Sequence, residues 1–430
     1  MSFYLQLLAI VTQAVLLWVI VTIARANGRQ VIARYLNPGC WLAFFYTLWF
    51  LIPQLVSVTN DNFVLGFPGA TPQQVLVSQW RLVVFLATVL LGLLVARALL
   101  GFRSVPALQI IRFRALRRSE TQMLWLFYIL GFFSTVYLGI QLASMGGFRS
   151  ELVKTLPGMI ATTVSFFGLY AMAVLSGHAF FHRNYLLAFL IIIVLGTAIF
   201  FTAARGRLLW PIVLAVAYVA CRRNKVNWNA VIGVGTLGIL VLLVFDPVFS
   251  SLRGGLRHFD GQQLADRINP NNIFMEKRNF DGFANFTLIS SVDSSKKQLD
   301  ILMTGGRKAF MEKYFPDIFA SGVGFGTTMP GMLWLAGGFK VLVLGAAAYG
   351  ALLAVLTTIF HRIRNEPMFW SYLFAMTWLA AVGGNFQESL DKMVAVALPG
   401  FVWLALVPVL RLLDPVEPKL DPLTTESFGS

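Results

Sequence analysis

Charged residues are scarce in this chain of 430 residues: they make up 12% of it, against 57% for hydrophobic residues. Soluble globular domains carry about 25% charged residues, so the composition excludes an ordinary soluble protein. Apolar runs recur along the chain, and most approach the roughly 17 to 25 residues that a helix needs to cross a bilayer. Because backbone inside a bilayer must satisfy its own hydrogen bonds, the sequence predicts an all-α polytopic membrane protein.

Cysteine is rare too: the chain has two, Cys40 and Cys221, each at the predicted inner end of a helix. Their placement excludes a disulfide framework and a cysteine metal site. No DxD pair occurs, which argues against a metal-dependent nucleotide-sugar transferase. The glycine-rich stretch 322–331 follows no predicted strand and lacks the spacing of a dinucleotide fingerprint, so we interpret it as a tight or re-entrant connection. We therefore predict no metal and no cofactor.

The apolar runs predict about eleven transmembrane helices. They cover residues 3–24, 40–57, 75–95, 123–143, 159–180, 185–202, 208–220, 230–245, 341–360, 369–382 and 394–410. Basic residues cluster in alternate connections, which the positive-inside rule assigns to the cytoplasm, so the net charge of +15 predicts no nucleic-acid partner. The first span has basic residues after it and none before it. We therefore expect it to be retained, with the N-terminus outside and the C-terminus cytoplasmic.

The largest outer connection is too long for a structureless loop within a compact fold, so we predict an extracytoplasmic cap. The predicted organisation is eight spans in residues 1–245, the cap in 246–340, three spans in 341–412 and a cytoplasmic tail in 413–430.

Two stretches of the cap, 273–289 and 296–315, are amphipathic. The first would lie on the membrane as a helix and turn apolar side chains toward lipid or the bundle, namely Ile273, Phe280, Phe283 and Phe286.

Two arginines on the predicted outer side, Arg205 and Arg207, separate two apolar runs in FFTAARGRLLW (200–210). Arginine at the centre of a bilayer costs about 2.5 to 3.5 kcal/mol, so the pair must lie at the interface or in a watery cavity. Positive charge is usually depleted from short outer loops, and the topology does not require it here. Two interpretations remain: a hairpin tip in water, or a cation pair that binds an anionic ligand.

Outer carboxylates lie in two segments. Asp281 follows Arg278 in the cap, where the two form either a solvated ion pair or part of a site. Glu388 and Asp391 would share one face of a helical turn. They are either a capping or solvated pair, or one of the two carboxylates is a general base whose pKa is raised by low-dielectric surroundings. Arg81, the deepest charge in a predicted span, either snorkels outward or joins an anion site.

Arginines at membrane level beside carboxylates suit group transfer from a lipid diphosphate, because guanidinium groups bind phosphate oxygens and carboxylates accept protons. The chain resembles the bacterial oligosaccharide repeat-unit polymerases of the Wzy type, which act on O-antigen, enterobacterial common antigen or exopolysaccharide. The resemblance rests on the number of spans and on three short stretches. These are RGR (205–207), RNFDGFANF (278–286) in a large penultimate outer loop, and ESLD (388–391) before the last span.

The resemblance implies a GT-C-like, metal-independent glycosyltransferase of the bacterial inner membrane. Its substrate would be an undecaprenyl diphosphate-linked oligosaccharide at the periplasmic face, and its partners membrane lipid, a chain-length regulator and a flippase. Arg205 resembles the family's arginine after a small-residue turn, whereas Arg207 falls where relatives often have a small or amide residue. We predict diphosphate binding by Arg205, Arg207 and Arg278, and catalysis by Glu388, Asp391 and Asp281.

The sequence leaves two alternative functions open, and the first has the same anion site and overall plan. A ligase would transfer finished glycan from the same lipid carrier to a different acceptor. A transporter of lipid-linked oligosaccharide would place ionisable residues deep within its spans, and the predicted spans keep their charges near the ends.

Overall fold

The computed structural model describes residues 2–24, 36–59, 71–99, 116–144, 155–202, 206–229, 282–291, 328–363, 365–379 and 386–413, together with 232–233 and 236. For some helical stretches, among them 206–210 and 386–394, it describes the backbone only. The described helices are α1 (Ser2–Ala24), α2 (Pro38–Tyr46), α3 (Ile52–Thr59), α4 (Pro72–Leu99), α5 (Arg118–Ser144), α6 (Leu156–Phe181), α7 (Tyr185–Phe201), α8 (Gly206–Arg223), α9 (Gly282–Ser291), α10 (Met329–Arg362), α11 (Glu366–Leu379) and α12 (Phe386–Leu413).

The described residues are almost entirely helical and contain no strand, which confirms the predicted all-α class. Every predicted span except the eighth coincides with a helix, and the eighth, 230–245, lies mostly outside the described residues. Among the described residues, six helices are long and apolar enough to cross a membrane, so the number of eleven spans stays a prediction. The six are Phe3–Ala24, Pro38–Val58, Pro72–Leu99, Arg118–Leu142, Leu156–Phe181 and Met329–Phe360.

Large apolar side chains cover the outside of the bundle. Trp18, Leu186 and Leu344 are each at least two-thirds exposed, in the middle or at the ends of apolar helices. A surface of this kind would be an aggregation or interaction patch in water but matches the hydrocarbon of a bilayer. The protein is therefore a helical membrane protein.

The second span contains a π-helical turn (Thr47–Leu51) between α2 and α3. Pro53 follows this turn and has no N–H, so it cannot donate to the carbonyl of Trp49 four residues earlier. Local widening of a helix is a usual response to such a gap in the hydrogen-bond ladder. The backbone of Trp49 is also where α9 makes close contact, since a Cβ on Gly282 would lie 2.6 Å from the Trp49 carbonyl oxygen.

Two large hydrophobic cores hold the described helices together. The first is formed by α1, α2, the π-helical turn, α4, α9 and the first part of α10. The second is formed by α5 to α8, α11 and α12. α10 also contributes to the second core, because Leu342 and Tyr349 lie in the first core and Phe360, near the end of α10, lies in the second.

The backbones of α4 and α10 touch where the two helices cross. A Cβ on Gly92 would lie 2.0 Å from the carbonyl oxygen of Ala347, and a Cβ on Gly350 would lie 2.0 Å from that of Val89. Hydrophobic forces do not drive helices together in lipid, so their association depends on close packing of small residues. This crossing fixes α10 against α4.

α10 folds back on itself near its start. Gly337 and Gly338 interrupt the helix, and Gly338 has a φ of 66°, which favours glycine. Leu333 packs on Gly345, where a Cβ would lie 2.3 Å from a Leu333 methyl carbon. In a straight helix these two residues would be about 18 Å apart. Segment 329–336 and the following turns therefore form a hairpin, called the α10 hairpin below. Its turn lies at 337–338, after the stretch 322–331 for which a tight or re-entrant connection was predicted, and residues 322–327 lie outside the described residues.

α9 is buried inside the bundle. Its residues from Gly282 to Ser290 are all buried, and it packs against α3, α4, α10 and the π-helical turn. The predicted helix on the membrane surface over 273–289 was therefore wrong for this part, because these residues are apolar or small around the whole helix and not on one face. Ile273, Phe280 and the second amphipathic stretch, 296–315, lie outside the described residues.

We predict that Gly350→Leu destabilises the folded protein by about 3 kcal/mol or more, because α4 would have to move away from α10 to admit the side chain. The matched control is Gly233→Leu, since a Cβ on Gly233 meets nothing within 4 Å. Thermal unfolding of the purified protein in detergent measures the difference. Equal midpoints for the two variants would show that α4 and α10 do not cross at Gly350.

Candidate functional site

The predicted site residues lie at helix beginnings or outside the described residues. Arg207 is in the first turn of α8, and Glu388 and Asp391 are near the start of α12, with only the backbone described at each position. Their positions on the helix put Glu388 and Asp391 on one face. The others, Arg205, Arg278 and Asp281, lie outside the described residues.

An ion pair marks one end of the bundle, called the ion-pair end below. Arg222, in the last turn of α8, lies 3.4 Å from the Glu366 carboxylate at the start of α11. The end of α10 lies there as well, because the rings of Phe360 and Phe369 are 6.0 Å apart. α8 begins sixteen residues before Arg222, which places its first turn about 24 Å away at the opposite end.

α12 also begins at that opposite end. Gly400 lies against Pro367 and Ser371, in the first two turns of α11. α12 starts fourteen residues earlier and runs antiparallel to α11, so its first turn is about 21 Å farther from the ion-pair end. The turn of the α10 hairpin lies at the same opposite end, which we call the hairpin end. The first turns of α8 and α12 thus share one end of the bundle with the hairpin, as the charge pattern predicts.

Arg81 links three elements near the hairpin end. One guanidinium nitrogen donates to the backbone carbonyl of Ser290 in α9 at 2.6 Å, and the guanidinium lies over the Trp334 ring at 3.7 Å from the centroid. Ser78, one turn away on α4, lies 2.8 Å from the Ser290 hydroxyl. Within the described part of the chain, no carboxylate is within ion-pair distance of Arg81. Arg81 therefore turns inward to α9 and the hairpin.

The C-terminus of α9 is satisfied by side chains. Ser290 and Ser291 donate their hydroxyls to the carbonyls of Thr287 and Leu288, and Arg81 donates to the carbonyl of Ser290. The last carbonyls of a helix have no partner within the helix, and a cation near them is favoured by the helix dipole. These contacts explain how α9 can be buried within an apolar bundle as far as Ser290.

A cluster of glutamines lies inside the first core. The amides of Gln13 and Gln54 exchange two hydrogen bonds of 2.9 Å, and Tyr46 donates to the Gln13 oxygen at 2.9 Å. Gln13 also donates to the backbone carbonyl of Gln79 at 3.2 Å. The side-chain amide of Gln79 is fully buried and has no partner among the described residues. Sequence reasoning missed this cluster, although amides inside apolar runs are a known signal of contacts between membrane helices.

The ion-pair end contains a second buried cluster. The Arg222 and Glu366 side chains are 3% and 6% exposed, Trp370 donates to Glu366 at 3.2 Å, and the Tyr218 and Trp370 rings stack at 5.1 Å. The Arg222 guanidinium also lies 4.8 Å from the Tyr218 ring centroid. In the sequence Arg222 belongs to a basic loop. The positive-inside rule explains such a loop without any partner, so the ion pair with Glu366 was not predicted.

Metal-ligating side chains do not assemble in the part of the chain that the structure describes. No group of three or more His, Cys, Asp or Glu side chains occurs there. Cys40 and Cys221 are both free thiols.

We predict that Gln13→Met destabilises the protein by about 1 to 3 kcal/mol, because it removes the partner of the buried Gln54 and Tyr46 groups. Gln79→Met serves as the matched control. It removes an amide that has no partner among the described residues, so it should leave stability unchanged or raise it. Thermal unfolding in detergent compares the two, and a larger loss in Gln79→Met would contradict the assigned contacts.

The ion pair gives a second stability prediction. Arg222→Met or Glu366→Leu alone should cost about 3 to 5 kcal/mol, since each leaves a buried charge uncompensated, whereas the double variant should recover much of the loss. A double-mutant cycle on unfolding in detergent measures the coupling. Simple addition of the two single effects would mean that Arg222 and Glu366 do not interact.

Comparison with known proteins does not assign a family to this chain. No family model matches it, and neither a curated protein nor a solved structure matches it.

Proposed function

We propose that the protein polymerises undecaprenyl diphosphate-linked oligosaccharide repeat units by glycosyl transfer at the periplasmic face of the bacterial inner membrane. The supporting observation is the position of α9. This helix follows Arg278 and Asp281 in the chain and packs against the α10 hairpin. The hairpin lies at the same end of the bundle as the first turns of the helices that carry Arg207, Glu388 and Asp391.

The arginines bind the diphosphate of the lipid carrier. Arg205, Arg207 and Arg278 each offer a planar set of N–H donors that matches phosphate oxygens, and each charge-assisted hydrogen bond contributes about 1.5 to 3 kcal/mol. Their contribution to rate is largest where negative charge develops, on the oxygen of the departing diphosphate. This role requires no metal ion.

The reaction exchanges one carbon–oxygen bond for another. A sugar hydroxyl of the incoming repeat unit attacks the anomeric carbon of the growing chain, and the bond from that carbon to undecaprenyl diphosphate breaks. Glu388, Asp391 or Asp281 accepts the hydroxyl proton, an effect of about 10² to 10⁴ in rate. Undecaprenyl diphosphate leaves with the bonding electron pair, and the lengthened chain remains on the carrier of the incoming unit.

The proposed enzyme is a multi-pass, GT-C-like protein with about eleven spans. Its N-terminus is outside, its tail from residue 413 is cytoplasmic, and residues 246–340 form the outer loop. In this arrangement the hairpin end faces the periplasm and the ion-pair end faces the cytoplasm, where positive charge is retained. A flippase supplies the lipid-linked repeat unit, and a chain-length regulator is the expected protein partner.

The test is a gel assay with the purified protein and a lipid diphosphate-linked repeat unit. Wild type should form a ladder, and Arg205→Ala and Glu388→Gln should each lower its rate by about 10²-fold or more because they remove anion and base functions. The matched control is Arg362→Ala, an exposed cation at the ion-pair end, which should leave the ladder unchanged.

Three results would contradict this proposal. Full activity of Arg205→Ala and of Glu388→Gln would show that Arg205 does not bind the diphosphate and that Glu388 is not the base. Transfer of the glycan to an added acceptor that is not lipid-linked, with no ladder, would show a ligase. Movement of the lipid across a vesicle membrane with no consumption of its diphosphate bond would show a transporter.

A further inference from the structure

α9 depends on contacts from other helices for its position. It has ten residues, fewer than the about 12 to 15 at which an isolated helix becomes even marginally stable in water. Its buried face on α4 and α10 includes Phe283 and Phe286, which belong to the first core. Ser290, the last buried residue of the helix, is polar, and among the described residues Arg81 is the cation that donates to its carbonyl.

Arg81 makes contacts that suit an anchor. Its hydrogen bond to the Ser290 carbonyl is charge-assisted, and the Trp334 ring below the guanidinium lies in the folded-back arm of the α10 hairpin. One side chain therefore joins α4, the end of α9 and the hairpin. The Ser78–Ser290 contact at 2.8 Å adds a second bond between α4 and α9.

We propose that Arg81 is a positioning residue for glycosyl transfer, which holds α9, the helix that follows Arg278 and Asp281 in the chain, against the α10 hairpin. The inference rests on the proposed function for its catalytic consequence. The contact between α4 and α9 is independent of that function. Arg81 acts through α9 and does not itself bind the diphosphate.

The structural arm of the test uses a disulfide. Cβ atoms about 3.5 to 4.5 Å apart can be bridged, and the hydroxyls of Ser78 and Ser290 lie 2.8 Å from each other. Ser78→Cys with Ser290→Cys, in a background with Cys40→Ala and Cys221→Ala, should cross-link rapidly on mild oxidation. Ser78→Cys with Ser291→Cys is the geometric control, because Ser291 is exposed at the next position, and it should cross-link slowly.

Adding Arg81→Ala should slow the Ser78–Ser290 cross-link about tenfold or more, since a charge-assisted hydrogen bond to the end of α9 is lost. Arg97→Ala is the matched control: Arg97 lies on the same helix and donates to the Ile23 carbonyl, away from α9. It should not change the cross-linking rate. An unchanged rate in Arg81→Ala would overturn the anchor, whether or not the protein polymerises.

The catalytic arm measures kcat and KM in the gel assay. Arg81→Ala should lower kcat about 10- to 100-fold with little change in KM, the effect of displacing a positioned group by about 1 Å. Arg81→Lys should recover part of the rate, because it keeps a donor for the Ser290 carbonyl. Oxidation of the Ser78→Cys, Ser290→Cys pair in the Arg81→Ala protein should restore kcat, and reduction should abolish the restoration.

A higher KM that the disulfide does not correct would overturn the positioning role and make Arg81 a direct ligand of the diphosphate. Absence of a ladder from wild type would count against the proposed function and the catalytic consequence. The cross-linking rates would still show whether Arg81 holds α9 in place. Failure of the anchor and failure of the proposed function therefore give different results.

Discussion

The burial of α9 is the constraint on which the hairpin end depends. A helix can enter an apolar bundle only if its terminal backbone groups find partners, because each unpaired polar group in hydrocarbon costs several kcal/mol. Arg81 provides that partner for the Ser290 carbonyl, and the Ser290 and Ser291 hydroxyls bond the carbonyls before it. Trp334 then couples the same guanidinium to the α10 hairpin. The position of α9 between α4 and the hairpin therefore depends on a charge within a membrane helix.

Buried charged side chains have different partners at the two ends of the bundle. At the ion-pair end, Arg222 and Glu366 neutralise each other in a buried cluster with Trp370 and Tyr218, which ties α8 to α11. At the hairpin end, Arg81 has no carboxylate within ion-pair distance among the described residues and bonds a helix terminus instead. This asymmetry fits a rigid base at one end of the bundle and, at the other, the site that we propose for an anionic substrate.

Sequence reasoning predicted the helices well, because a run of about 20 apolar residues matches the thickness of a bilayer and forms a helix there. The reversal at Gly337 and Gly338 was not predicted, because two adjacent glycines beside an apolar run do not by themselves show that a helix turns back there. The same reasoning put α9 on the membrane surface, since a ten-residue apolar segment has no length signal that separates an interfacial helix from a buried one. Pairings such as Arg222 with Glu366, and Gln13 with Gln54, join helices far apart in the chain and leave no pattern in one sequence. The predicted catalytic residues remain predictions.

The most direct measurement is a balance of products from wild-type protein reconstituted in vesicles with its lipid diphosphate-linked repeat unit. Mass spectrometry would count the glycosidic bonds formed and the undecaprenyl diphosphate released. The account predicts one carrier released for each bond, with every product still attached to one lipid diphosphate. Carrier release without a longer glycan, or a longer glycan on an acceptor that is not lipid-linked, would contradict it.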